Sequence, residues 1–250
     1  MHGNVHSGTD FAYAFDLISP IGQGRCAQVQ SRDPGVFMRT VKERLFHLLA
    51  SYQGDGVFNQ YRDTHPDHDL PNAPQIRLDN LRHFLNTFPS VRYILLAEAA
   101  GYQGCRFSGI PMTSEVQIAG PNSVHWAKAG EYARSGSRDR LWREPSATIL
   151  WETLGEQTGF LIWNTFPWHP MGKRGPLSNR TPRRREIPAG VEVLRCLMEL
   201  YPGVPLVAIG RVAERTLTEL GMEPLYVRHP AHGGKPQFVA GIQILNEGTS

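Results

Sequence analysis

Short apolar runs alternate along the chain with segments whose apolar residues recur every three or four positions. The second pattern, the stripe of an amphipathic helix, covers Phe37 to Tyr52, with Phe37, Val41, Leu45, Leu48 and Leu49 in phase. It recurs over Ile76 to Phe88, Ala147 to Gly155, Ala189 to Leu200, Arg211 to Leu220 and Phe238 to Leu245. Four runs are short, apolar and bounded by turn residues, as buried strands are: Arg92 to Ala97, Phe160 to Trp163, Val204 to Ile209 and Leu225 to Val227. Strands alternating with helices predict an α/β fold of three layers, α/β/α, around a central, mostly parallel four-stranded sheet. Residues 1–34 lack periodicity and are expected to form an irregular arm, and Gln53 to Ala73 is polar and turn-rich. Gly101 to Gly120 is predicted to be one long loop. Pro167 to Pro188, with five prolines, is predicted to be another. There is no internal repeat and no domain-sized linker. The expectation is one domain, residues 1–250, in which 75–250 form the core and 1–74 a helix-bearing extension.

That topology concentrates attention on the segment after each strand, because open α/β sheets bind ligands beyond the carboxyl ends of their strands. Three such segments stand out: Ala97 to Glu115, Trp163 to Pro170 and Val227 to Gly234. The first is rich in small residues that let a ligand approach the backbone and is bracketed by Glu98 and Glu115, either of which could orient a water. Its alternatives are a helix cap, a surface charge or, for Glu98, a tie to loop N–H groups. In the second, Asn164 offers one acceptor and two donors to the edge of a flat ring, or else an Asx turn. In the third, His229 can stabilise charge on a departing group, and the small basic loop Ala231 to Lys235 could wedge into a duplex. Phe107 and Met112 are apolar residues inside a polar loop, suited to stacking on a ring or to anchoring the loop. Together these groups suit removal of a base from a sugar.

Composition narrows the class. With 40% hydrophobic and 20% charged residues the chain reads as an ordinary globular protein. The net charge of +3 conceals a local run: Lys173, Arg174, Arg180, Arg183, Arg184 and Arg185 occur with no acid between them. Such a run is either a phosphate-contacting surface or a solvated basic loop. Cys26, Cys105 and Cys196 are far apart and odd in number, which excludes a disulfide framework and a zinc or iron–sulfur signature. His65-Pro-Asp-His68 is the nearest approach to metal-ligand spacing, and no metal site or cofactor is predicted. No run nears the roughly 20 apolar residues of a spanning helix, so no membrane partner is expected. The chain reads as cytoplasmic, nucleoid-associated if its source is bacterial.

At these segments the sequence resembles the uracil-DNA glycosylase superfamily, over roughly Arg92 to Leu245. Ala97-Glu98-Ala99-Ala100-Gly101 and Gly109-Ile110-Pro111-Met112 are similar to its first motif. Glu98 matches the family-four form, and the step to Glu115 is closer to family five, type b. Asn164 with Asn179-Arg180-Thr181-Pro182 is similar to the second motif, and His229-Pro230-Ala231 to the third. The chain departs from the pattern at Ala100, where Pro is usual, and at Met112, where a Phe usually stacks on the base. It also lacks the family-four cluster cysteines.

The resemblance implies a uracil-DNA-glycosylase-like fold and a monomeric, monofunctional enzyme of base excision repair. It would hydrolyse the N-glycosidic bond of uracil in DNA and leave an abasic site. Hypoxanthine and xanthine are further candidate bases, because Ala99 leaves room. Glu115, Glu98, Asn164 and His229 would be catalytic. Ala99, Gly101, Tyr102, Phe107 and Met112 would contact the base. DNA would be held by Thr113, Ser114, Asn179, Arg180, Arg183, Arg184, Arg185, Arg228, His232 and Lys235. Two rival readings are a hydrolase with Cys105 as nucleophile and His229 as base, and a catalytically inactive reader of damaged or single-stranded DNA.

Overall fold

The computed structural model describes residues 33–248. The expected N-terminal arm and Cys26 therefore lie outside the described residues, except for the arm's last two positions. In chain order the elements are α1 (Pro34–Ser51), β1 (Val57–Phe58), α2 (Ala73–Thr87), β2 (Tyr93–Ala99), α3 (Cys105–Ser108), α4 (Glu115–Ala119) and α5 (Pro145–Leu154). They continue with β3 (Phe160–Phe166), β4 (His169–Gly172), β5 (Gly175–Asn179), α6 (Ile187–Leu200), β6 (Leu206–Ile209), α7 (Arg211–Glu219), β7 (Leu225–Val227) and α8 (Lys235–Glu247).

The main sheet runs β3-β2-β6-β7 with every pair parallel. Strands covered on both faces read as continuous apolar runs rather than alternating ones. Accordingly, all seven residues of β3, Phe-Leu-Ile-Trp-Asn-Thr-Phe, are buried. The chain leaves β2 in one direction to reach β3 and returns in the other to reach β6. Right-handed crossovers therefore place α5 on one face of the sheet and α6 with α7 on the opposite face. α1 packs outside α6 through Val41, Leu45 and Leu49, and Arg44 donates to the Cys196 sulfur at 3.1 Å and pairs with Glu199.

The two expected loops contain more structure than their composition suggests. Residues 101–120 hold the short helices α3 and α4, the second started by a capping box between Ser114 and Gln117. Within 167–188, β4 and β5 form a hairpin turning at Lys173-Arg174, and β1 adds to it as a third, antiparallel strand. Prolines occupy this small sheet because Pro170 and Pro176 sit in short strands outside the main sheet. β2 and β3 also run past their expected ends at Ala97 and Trp163, so Glu98 and Asn164 are strand residues.

Candidate active site

Three of the four residues expected to do chemistry lie towards the carboxyl ends of β2, β3 and β7, along one edge of the sheet. Asn164 lies directly beside Ala97 in the β2–β3 register. Its side chain is fully buried, and neither the amide nitrogen nor the carbonyl oxygen has a partner. An unpaired buried polar atom typically costs about 1–3 kcal/mol. Gln60 Oε1, Arg106 Nε, Arg180 Nε and three tryptophan nitrogens are also unpaired, but Asn164 alone among the described residues loses both its donor and its acceptor.

Glu98 is half-buried near the end of β2. Burial raises its carboxyl above the ordinary value, opposed by a hydrogen bond from Thr181. The backbone oxygen of Glu98 accepts the Thr165 hydroxyl at 2.7 Å, which ties β2 to β3 beside Asn164.

His229 follows β7 by two residues. Its Nδ1 accepts the Ala231 N–H at 3.1 Å, so in the neutral ring the proton sits on Nε2, which is left as a donor. Burial, then the charges of Arg228 and His232, lower its pKa. Each cause favours the neutral ring. Gly210, at the end of β6, makes room for this histidine. Its φ is +86° with ψ 163°, a conformation essentially confined to glycine. A Cβ there would lie 2.9 Å from the His229 Cβ.

Glu115 is in a different situation. It is 1% exposed, and its carboxylate accepts three backbone N–H groups: Ser135 at 2.9 Å and Gly136 at 2.7 Å on Oε1, and Trp142 at 3.1 Å on Oε2. This corrects the expectation that Glu115 faces a water. Its carboxylate pins the 133–143 loop against the first motif. The same region holds a buried ionic network in which Asp69 accepts from Arg77 and Arg106, both at 2.6 Å, with all three side chains sealed from solvent. Burial alone would raise the Asp69 carboxyl, but the two guanidiniums hold it below its ordinary value.

The stacking candidates separate in the same way. Phe107 is fully buried, stacked on Trp142 at 4.3 Å and covered by Arg106 at 4.0 Å. Met112, in the left-handed conformation at φ 47°, is 5% exposed within the core. Both anchor the loop. Tyr102 is half-exposed, its N–H bonded to Asn179 Oδ1 at 2.9 Å and its ring edge-on to Trp142. Asn179 thus braces the loop that holds Gly101 and Tyr102.

Several residues expected on DNA are engaged elsewhere. Thr113 accepts from Trp151 and Ser114 accepts from the Glu144 N–H, both fully buried. Arg180 makes a two-pronged ion pair with Glu186 at 2.7 and 2.8 Å. Arg183 reaches Glu186 and Asp55, Arg184 reaches Glu219, and Arg185 reaches Asp55, all at 3.8–3.9 Å. Lys235 pairs with Glu152. Arg228 and His232 are exposed beside His229. Cys105 is buried and its thiol is pushed up to about 12 by desolvation, which removes the thiolate that a nucleophile needs.

One carboxylate was not singled out from the sequence. Glu144, just before α5, fits against Gly101 and Gly104, and a Cβ on Gly104 would fall 1.9 Å from its Oε2. Burial raises its carboxyl to about 7. It lies just before Pro145 in the chain, and only the fold shows which loop it meets.

No protein-family model matches the chain, and no curated protein matches it. Among solved structures it is similar to wild-type SMUG2 of Pedobacter heparinus, with a TM-score of 0.56 over 83% of this chain and 98% of that one. The fold is uracil-DNA-glycosylase-like. Sequence identity is 12%, so the likeness is one of architecture.

Proposed function

We propose that this protein is a DNA glycosylase that hydrolyses the N-glycosidic bond of a deaminated base, uracil foremost. The observation that carries the reading is Asn164, a buried carboxamide with donor and acceptor both unpaired at the ligand-binding edge of the sheet. A flat base with alternating carbonyl and N–H groups would supply both missing partners. The fold shared with SMUG2 and the order of the three motifs support the same reading.

The proposed reaction starts with the target nucleotide rotated out of the duplex. Both polar atoms of Asn164 are shielded from solvent, so the base reaches them as a neighbouring loop opens. As the bond to C1′ breaks, charge builds on the base, and the neutral His229 donates from Nε2 to stabilise it. Water attacks C1′ of the oxocarbenium-like sugar, and the proton it loses ends on the departed base anion. Glu98 orients that water, because Glu115 is occupied by backbone N–H groups. The products are the free base and an abasic site. No lysine Schiff base takes part, which makes the enzyme monofunctional. We place its work in the cytoplasm, as a monomer acting on DNA.

The test is a set of labelled oligonucleotides carrying one uracil, hypoxanthine or xanthine, treated with protein and then with alkali to cut abasic sites. Cleavage at uracil is expected, and cleavage at hypoxanthine or xanthine would extend the base range. Three intact strands, with DNA still bound, would favour an inactive reader of damage and refute the enzyme.

A further inference from the structure

We infer that the 134–143 loop, rather than the basic run at 183–185, is the main phosphate-binding surface for DNA; the inference rests on the glycosylase reading above. The loop carries Arg134, Arg138, Arg140 and Arg143 against one acid, Asp139. Among the described residues none of these four arginines forms an ion pair with a carboxylate, whereas Arg180, Arg183, Arg184 and Arg185 all do. Arg138, Arg140 and Arg143 are exposed. Arg134 donates to the Arg138 and Asp139 carbonyls at 3.0 and 3.2 Å, and Arg138 to that of Leu141 at 2.9 Å. These bonds to neutral carbonyls shape the loop and leave its surface with an excess of positive charge.

Two further observations tie the loop to the site. Its backbone is fixed by the three N–H bonds to Glu115, so its cations are held in place before DNA arrives. The guanidinium of Arg138 lies 3.4 Å over the Trp142 ring, which stacks on Phe107 and meets the edge of Tyr102 in the first-motif loop. Arg140 and Arg143 flank Trp142 in the chain, so a phosphate held between them would lie near the loop proposed to receive the base. Planar guanidiniums suit phosphate because they offer paired donors.

The test measures binding of a fluorescein-labelled duplex with a tetrahydrofuran abasic analogue across a salt series. Each phosphate contact contributes about −0.9 to the slope of log affinity against log salt. The paired change Arg140→Gln with Arg143→Gln is expected to flatten the slope by about 2. Arg184→Gln with Arg185→Gln is expected to leave it within about half a unit. Arg143 donates to the Thr148 hydroxyl at 3.5 Å, a long bond, and thermal melts of both variants check that each is folded. Adding Arg138→Gln should weaken binding further, and Arg138→Lys should restore part of it. An unchanged slope in the Arg140/Arg143 variant, with base release intact in the wild type, overturns the inference and leaves the glycosylase reading standing. A wild type that neither binds the duplex nor releases base overturns both.

Discussion

Among single residues, the decisive ones are groups whose surroundings conflict with folded stability alone. Asn164 has two buried polar atoms with no protein partner. Asn164→Leu, close in shape, should therefore raise stability by about 1–3 kcal/mol in urea unfolding while reducing base release at least about a hundredfold. Equal or lower stability would mean that the amide is already satisfied in the free protein. Glu98 must be ionised to orient water, and burial raises its carboxyl above 4.5. The acid limb of kcat/KM should accordingly fall above that pH, and Glu98→Gln should abolish the limb together with most of the rate. His229 is shifted the other way, so its ring stays neutral to a lower pH than an ordinary imidazole.

Glu144 gives a pH signature in stability. Its folded pKa of about 7 exceeds the ordinary 4.5, so the fold prefers the protonated acid. That preference is fully favourable below about 4.5 and is lost as pH rises through about 7. Glu144→Gln should thus stabilise the protein by about 1–2 kcal/mol above pH 7 and by nothing below 4.5, solvent at this half-buried site reducing the full effect. Thermal unfolding at the two pH extremes decides it, and a pH-independent difference would count against the assignment.

Among the elements, loops hold the site where strands end. Gly210→Ala should destabilise by about 1–3 kcal/mol, from its glycine-only backbone, and displace His229. A Tm within a degree of the parent would contradict that. Glu115→Gln swaps one acceptor oxygen for a donor facing N–H groups, and should cost about 2–4 kcal/mol. Amide exchange should quicken at Ser135, Gly136 and Trp142. If exchange and stability hold while base release vanishes, Glu115 acts on substrate and the structural role assigned to it is wrong. The strand and helix positions were largely legible in the sequence, because a parallel sheet covered on both faces writes itself as apolar runs such as Phe160 to Trp163. The β4–β5 hairpin was not, since its prolines and glycines signal a loop unless the partner strand β1, distant in sequence, is known.

For the molecule as a whole, the edge of the sheet was readable and the wiring of the loops was not. Asn164, Glu98 and His229 could be placed near the sheet edge from position alone, because the first two lie among the last residues of β3 and β2 and the third just past β7. Glu115 could not be told from a water-orienting acid, because its three partners lie 20 to 27 residues away and bind through backbone N–H groups that any residue type carries. The acids that meet the basic run from Lys173 to Arg185 were hidden for a related reason: Glu186 pairs closely with Arg180, and Asp55 and Glu219 come within 3.8–3.9 Å of Arg183, Arg184 and Arg185, only once the chain is folded.

The most direct measurement is release of free uracil from an oligonucleotide with one deoxyuridine, by wild-type protein and by the folded Asn164→Leu variant under single-turnover conditions. Stoichiometric release by the wild type is expected, with a rate at least about a hundredfold lower for the variant. A wild type that releases no base, or a variant as fast as its parent, would contradict the glycosylase reading or the role of Asn164 in it.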